Sequence, residues 1–408
     1  MGVSRKVVFA EQFYYPEGWG GAQLPRDLTM ELARAGWDVE VVCGSDQYAP
    51  TGGEPVPDPT SAGVKIRRIP RLLSGDIHRL KLLRQLWFYV MAFPMLLLTR
   101  CSVYVTQTNP PLIVPIVALV AALRRRPLVI IAQDIYPEVM WAHGMIDRGS
   151  FSAKLLAKLF RWAYRRAVAV VSLGPTMSER LREKGVAPER IVEISNWATG
   201  EQSIVRGEEN RLRSAWGLDG KVVLLYSGNL GIAHDIETPL RAIAAAREHV
   251  PELTFVIIGK GSRLQQARQL AEQLKLGTSV QFRDLVPFEL LPHTLGLADM
   301  ALVTLGKGFE GLVVPSKALG YMARGVPTLY IGPPSDISSL LEQSGGGSAF
   351  ANGEVQAVAN GLRELLQDSQ RLLALGAGAQ RFYDERLDRA MALKRYAEML
   401  TSVVHAHK

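Results

Sequence analysis

Three stretches of the 408-residue chain carry groups suited to holding an oxyanion. The first is Leu312-Val313-Val314-Pro315-Ser316-Lys317, running into an apolar stretch from Ala318 to Arg324. A hydroxyl, an ammonium and the free N–H groups of a helix start would converge there on one cluster of phosphate oxygens. The second is Tyr226-Ser227-Gly228-Asn229-Leu230-Gly231, which follows a strand pattern and precedes a helix expected near Asp235. The third is Tyr15-Pro16-Glu17-Gly18-Trp19-Gly20-Gly21-Ala22-Gln23, where paired glycines let a ligand approach the backbone at the mouth of a helix. Each has a plainer reading. Ser316 can simply cap its helix, Lys317 can point into solvent, and a glycine-rich turn is often only a turn.

Other chemistries lack their residues. No third glycine follows Gly18, Gly20 and Gly21 at the spacing of the dinucleotide fingerprint, and there is no Walker A loop. The chain has no GxSxG elbow, no HExxH and no DxD pair, and its seven histidines form no close cluster. The expectation is therefore a site without a metal or other cofactor.

The elements that must position these loops follow from periodicity. Strand patterns occur at 6–10, 39–43, 64–67, 102–106, 128–132 and 168–173, with a helix over 24–35 closed by Gly36. The same alternation restarts after a polar stretch at 200–213. Strands are expected at 222–226, 253–258, 280–282, 300–304 and 328–331, and helices at 236–249, 263–274 and 387–405. Strands separated by helices make mostly parallel sheets covered on both faces, with ligands at the carboxyl ends of the strands. The chain is also too long for one core, because single cores stop growing near ~250–300 residues.

Composition narrows the partners. With 48% hydrophobic and 21% charged residues the chain is neither disordered nor a channel of many spans. Cys43 and Cys101 cannot form a disulfide framework, and no signal-peptide pattern follows Met1, so a cytoplasmic location is expected. The net charge of +8 lies wholly in the first half. Residues 59–126 hold 11 Lys and Arg against the single acid Asp76, around the apolar runs 86–98 and 112–123. Neither run reaches the ~20 residues needed to span a bilayer. Such runs suit either helices lying on an anionic membrane surface or core helices with a basic cap; the charge favours the membrane, through residues 79–126. Basic residues alternating with aromatics on strands are missing, so nucleic acid is not an expected partner.

Five motifs in order now form a pattern: Tyr14-Tyr15-Pro16 with Gly20-Gly21; Gln133-Asp134-Ile135-Tyr136-Pro137-Glu138; Ser227-Gly228-Asn229-Leu230-Gly231; Ile258-Gly259-Lys260-Gly261; and Pro315-Ser316-Lys317 with Tyr321-Met322-Ala323. Together they resemble the family 4 glycosyltransferases of the GT-B fold, in the branch that builds bacterial O-antigen, capsule and colanic-acid-type polysaccharides. The resemblance implies an α/β fold of two Rossmann-like domains facing a central cleft. It divides the chain into an acceptor- and membrane-facing domain at 1–198, a nucleotide-sugar domain at 199–385 and a closing helix at 386–408 that packs back on the first. It also implies metal-independent transfer with retention, from a nucleotide-diphosphate sugar expected to be uridine-linked. The acceptor would be a polyprenyl-diphosphate-linked saccharide, and the enzyme would sit peripherally on the inner face of the cell membrane.

The same resemblance assigns roles. Gly20 and Gly21 fall near the diphosphate. Asp134 and Glu138 fall at the active end of an N-domain strand and Lys317 on the donor phosphates, these three being the expected catalytic residues. Ser227, Gly228, Asn229, His234, Lys260, Pro315 and Ser316 are expected around the donor, with Leu285 and Val286 of the Arg283–Pro287 segment at the base. Two departures stand out. Asn229 and His234 occupy positions where many members carry an Arg–Lys clamp, and Gly320 replaces a ribose-binding glutamate, with Glu310 the nearest acid upstream. Two other readings remain open on the sequence: a nucleotide-sugar epimerase on the same scaffold, and a non-catalytic partner subunit that has lost donor binding.

Overall fold

Short β-branched runs separated by amphipathic helices fold here as two parallel sheets. The computed structural model describes residues 5–16, 20–44, 58–70, 81–200 and 202–407. The chain divides into one unit of Met1–Ser195, Gly311–Val313 and Ala390–Lys408, and a second of Asn196–Glu310 and Val314–Arg389.

In the first unit the order is β1 (Lys6–Glu11), α1 (Gly20–Arg34), β2 (Asp38–Cys43), β3 (Lys65–Arg68), α2 (Lys81–Leu98), β4 (Val103–Gln107) and α3 (Ile113–Arg124). There follow β5 (Leu128–Ile131), α4 (Glu138–Ala142), α5 (Phe151–Arg166), β6 (Ala169–Ser172), α6 (Pro175–Glu183) and β7 (Ile191–Glu193). The seven strands lie in the order β3-β2-β1-β4-β5-β6-β7, every pair parallel. Strand order reverses between β1 and β4, so their carboxyl ends open the crevice typical of doubly wound sheets.

The second unit repeats the plan with α7 (Arg211–Ala215), β8 (Val222–Ser227), α8 (Glu237–Ala246), β9 (Leu253–Ile258), α9 (Leu264–Gln273), β10 (Val280–Arg283), α10 (Leu291–Gly296) and β11 (Met300–Thr304). It continues with α11 (Lys317–Met322), β12 (Thr328–Ile331), α12 (Asp336–Ser344), β13 (Gly347–Phe350), α13 (Val355–Leu366) and α14 (Ser369–Arg386). Its sheet runs β10-β9-β8-β11-β12-β13, and the reversal falls between β8 and β11. The core is built from the strand interiors, such as Leu224, Phe255 and Leu302, against Leu240 and Ile243 of α8 and Leu362 of α13. The last helix, α15 (Arg389–Ala406), belongs from Ala390 onward to the first unit.

All eleven strands read from the sequence are present, with ends shifted by a residue or so. Two edge strands, β7 and β13, escape that reading because neither has an apolar run; their residues are only partly buried, Ala349 exposed. The run 112–123 is mostly core: α3 buries Ile113, Val114, Val117, Val120 and Ala121. The run 86–98 is divided. On α2, Phe88, Tyr89, Ala92 and Leu96 face inward, whereas Leu86, Val90 and Leu98 are exposed. Among the described residues no helix is long and apolar enough to cross a membrane. Arg71, Asp76 and Arg79 of the basic block, and Glu17 to Trp19 of the glycine loop, lie outside the described residues.

Candidate active site

In the second unit, the loops leaving β8 and β9 are pressed together backbone to backbone. Gly228 N–H donates to Ile258 O at 2.8 Å and Leu230 N–H to Lys260 O at 2.8 Å. A Cβ on Gly259 would sit 1.9 Å from Gly228 O, and Gly259 has φ +148°, so only glycine allows this approach. The β8 loop is also tied to α11, because Ser227 N–H donates to the Tyr321 hydroxyl at 3.2 Å.

Lys317 opens α11 and reaches back over that loop. Its Nζ lies 3.8 Å from the centre of the Tyr226 ring and 3.3 Å from where a Cβ on Gly228 would be. This ammonium nitrogen is buried and has no hydrogen-bond partner among the described residues. Burial drives its pKa down to about 7, since no carboxylate offsets the lost hydration. A cation so placed is matched by an incoming anion. Ser316 is exposed and makes no capping bond through its side chain. Because α11 has only six residues, its end charge is small, and Lys317 carries most of the positive potential expected of the Ser316–Lys317 pair.

His234 behaves differently from the lysine it replaces in the expected clamp. Its Nδ1 lies 2.9 Å from Thr304 O, a carbonyl that can only accept, so the proton is on Nδ1. Burial and then the Lys317 charge lower its pKa to about 4. The imidazole is therefore neutral near pH 7, and its Nε2 is an acceptor suited to a hydroxyl rather than to a phosphate. Asp235, near which the sequence places a helix start, fixes the start of α8 by accepting from Thr238 N–H, the Thr238 hydroxyl and Asn352 Nδ2.

The remaining expected donor residues surround this core at the strand ends. Asn229 and Lys260 are exposed, while Pro315 is partly buried beside Ser316. Leu285 is exposed and Val286 half-buried in the loop after β10, where the Arg283 guanidinium stacks 5.0 Å over Trp216. Gly320 lies on α11, and its carbonyl oxygen accepts from Arg324 Nη1 at 3.0 Å. Glu310 Oε2 accepts from Gly308 N–H at 2.8 Å, a bond within its own turn.

In the first unit, Gly20 and Gly21 begin α1, and among the described residues no neighbouring group lies within 4 Å of a Cβ added to Gly21. Asp134 follows β5 in a loop whose shape Thr108 sets: the Thr108 hydroxyl accepts from Gln133 N–H at 3.0 Å and Asp134 N–H at 2.9 Å. Asp134 also pairs antiparallel with Val313, and Ile135 N–H donates to Leu312 O at 2.9 Å. Burial without a neighbouring cation raises the Asp134 carboxyl to about 6, which suits a group exchanging protons near neutrality. Glu138 starts α4, but both its oxygens are held by Lys184 Nζ, at 2.7 and 2.6 Å. Lys184 is itself buried, over the Tyr164 ring. That pairing makes Glu138 a residue that anchors α4 behind Asp134, rather than a free carboxylate. Glu11, at the carboxyl end of β1, is a further buried acid: among the described residues its Oε1 has no hydrogen-bond partner, and burial raises its pKa. A strand-end rule could have found it, whereas nothing local marks Thr108 or Lys184. Among the described residues no three His, Cys, Asp or Glu side chains gather as metal ligands would.

Comparison with known proteins identifies the family and the fold. Residues 20–197 match the family described as "Glycosyl transferase 4-like domain" and residues 208–382 the family "Glycosyl transferases group 1". The chain is 28% identical over 313 residues to the probable glycosyltransferase WbjE of Pseudomonas aeruginosa, covering 76% of each chain. It is 28% identical over 290 residues to the putative colanic acid biosynthesis glycosyl transferase WcaI of Escherichia coli K12, covering 69% of each. In fold it is similar to Anabaena HepE in complex with UDP and glucose (TM-score 0.73, 18% identity, covering 97% of this chain and 99% of that one). It is also similar to WaaG, a glycosyltransferase involved in lipopolysaccharide biosynthesis (TM-score 0.66, 17% identity, 97% and 99%). With both domains matched in order and every strand pair parallel, the chain belongs to the GT-B glycosyltransferases that join a family 4-like N-terminal domain to a group 1 C-terminal domain.

Proposed function

We propose that this glycosyltransferase moves a sugar from a nucleotide-diphosphate donor, uridine-linked, to a polyprenyl-diphosphate-linked saccharide during assembly of a bacterial surface polysaccharide. The observation that carries the donor half is Lys317, a buried ammonium with no hydrogen-bond partner among the described residues, beside the glycine loop of Gly228. A departing diphosphate builds up negative charge, and a dry, fixed cation stabilises that charge far better than water does. No metal is needed in this scheme, and the anomeric configuration is retained. Asp134 accepts or orients the acceptor proton. His234 holds a donor hydroxyl through Nε2. The uridine assignment draws on the HepE complexes with UDP, and the polysaccharide assignment on WcaI, a putative colanic acid biosynthesis glycosyl transferase. An anionic membrane surface facing residues 79–126 would present the lipid-linked acceptor.

A thermal-shift screen over nucleotide sugars, followed by transfer of radiolabel from the stabilising donor to membrane lipid extract, tests the reading. Stabilisation by a uridine-linked donor and label in the lipid fraction, unaffected by a chelator, is the expected result. Label that stays with free sugar while the donor sugar changes configuration would point to the epimerase instead.

A further inference from the structure

A second set of buried polar groups lies in the first unit, at the reversal between β1 and β4. Glu11 ends β1 and is 2% exposed. The Gln107 backbone N–H, at the end of β4, donates to its carboxyl, but Oε1 has no hydrogen-bond partner among the described residues. Arg26 lies in the second turn of α1 and is 7% exposed. Its Nη2 reaches Asp27 Oδ1 at 3.3 Å, whereas Nε and Nη1 are buried and have no partner among the described residues. Tyr14 connects the two side chains. Its hydroxyl donates to Thr29 Oγ1 at 2.6 Å, Thr29 in turn donates to Arg26 O at 2.9 Å, and Tyr14 lies within electrostatic reach of both Glu11 and Arg26.

Buried polar atoms are nearly always bonded, so one loose acceptor and two loose donors in a single cluster require a reason. A bound group that both donates and accepts supplies it. A phosphate only accepts, and it would meet the Glu11 carboxyl and the Asp27 charge beside Arg26. A sugar hydroxyl gives its proton to one neighbour and takes one from another, which suits this mixture. Burial raises the pKa of Glu11, which lets its carboxyl offer a proton as well as lone pairs.

The position selects which sugar. Gln107 bonds Glu11, and the next residue, Thr108, bonds Asp134 N–H. Glu11 and Asp134 therefore stand on one rim of the sheet, at the ends of β1 and β5 on either side of β4, where doubly wound sheets hold ligands. Asp134 is the group assigned to the acceptor proton. Part of Arg26 still meets solvent, so the cluster lies just beneath that rim rather than deep in the core.

We infer that Glu11 and Arg26 form a subsite that hydrogen-bonds ring hydroxyls of the acceptor's terminal pyranose, turning out of their closed positions to meet it, and so select the sugar that is extended. The inference rests on the sugar-transfer reading and deepens it by naming the groups that read the acceptor.

Full-length Glu11→Met, Arg26→Met and Glu11→Gln are compared with the parent in two ways. In the first, transfer from the nucleotide sugar that stabilises the parent is titrated with membrane lipid extract at saturating donor, and then with donor at fixed extract. Glu11→Met should raise the half-saturating amount of extract about tenfold and Arg26→Met about thirtyfold, the losses of a neutral and of a charged hydrogen bond, with donor KM unchanged. Glu11→Gln still donates and accepts, and should stay within about threefold of the parent. The second way needs neither donor nor lipid. Saturation-transfer NMR with a panel of p-nitrophenyl pyranosides should give ring-proton signals from at least one sugar with the parent, and these should disappear with both Met variants.

Melting curves show which variants are folded, and either Met variant alone suffices. A raised donor KM with an unchanged extract titration would give the subsite to the donor sugar instead. Folded Met variants that saturate like the parent would leave the cluster a purely structural part, and a parent without ring-proton signals would leave it without a sugar. Each of these results overturns the inference. A parent that moves no label to the extract sinks the lipid-acceptor reading, while the NMR comparison still decides on the subsite, so the two fail separately.

Discussion

The Lys317 ammonium lies 3.8 Å above the centre of the Tyr226 ring, with the Tyr226 hydroxyl donating to Asn229 O at 2.8 Å on the far side of the same loop. The ring supplies a weak cation–π contact, but no carboxylate compensates the buried charge. The loop shape and the cation are thereby coupled. Replacing Lys317 by Met should keep or raise the melting temperature, because an isolated buried charge costs stability. The same change should abolish stabilisation by donor and lower kcat by about a hundredfold to a thousandfold, as loss of one oxyanion partner does. Donor titration by thermal shift and steady-state kinetics would check it; unchanged turnover would remove Lys317 from the chemistry.

Lys317 also makes donor binding depend on pH. Its folded pKa of about 7 lies below the ordinary 10.5, so between those values the unfolded chain holds a proton that the folded chain has released. Stability of the free protein from this group is therefore lowest below about pH 7 and grows as pH rises towards 10.5. A bound diphosphate reverses the preference and favours the ammonium. Calorimetry in buffers of different ionisation enthalpy should show proton uptake on donor binding at pH 8. Affinity should fall by up to about tenfold per pH unit above pH 7.

Asp134 titrates with the opposite sign of charge. Its folded pKa of about 6 exceeds the ordinary 3.8, so its contribution to stability is greatest in acid and is lost as pH rises through 6. Asp134→Asn should hold or raise the melting temperature at pH 7 while cutting kcat by about a hundredfold or more. The parent rate should fall as pH drops below about 6, and this limb should vanish in the variant. A pH profile of kcat for both proteins is the measurement.

The Glu138–Lys184 pair is predicted to matter for stability first. Lys184 is 7% exposed at its side chain, so Glu138→Gln strands a buried cation and should cost about 3 kcal/mol in urea denaturation. Glu138→Gln combined with Lys184→Met should recover much of that loss. If the double variant regains stability and its activity follows, Glu138 positions α4; if stability returns without activity, it has a more direct part.

Gly259→Ala tests the loop architecture. The added methyl would meet Gly228 O at 1.9 Å on a backbone of positive φ, so the β8 and β9 loops must separate. Loss of donor binding should accompany a clear fall in melting temperature. Gly21→Ala meets no neighbouring group within 4 Å among the described residues, so its melting temperature should barely move and any loss of activity reports ligand contact.

The alternation of β-branched runs with amphipathic helices determined two parallel α/β units and eleven of their strands, because burial on both faces of a parallel sheet demands that pattern locally. The order of glycine, Ser–Lys and Gln-Asp motifs likewise marked Gly228, Lys317 and Asp134, since a strand-end loop announces itself by residue type. Other features needed the folded chain. Strands β7 and β13 are held by neighbours rather than by their own hydrophobicity. The state of His234 depends on Thr304 O, 70 residues onward, and that of Glu138 on Lys184, 46 residues onward. Helix α3 packs against both α2 and α5, and no local pattern encodes that adjacency. Composition and period specify what each segment buries, whereas charge state and surface continuity depend on what tertiary packing brings near.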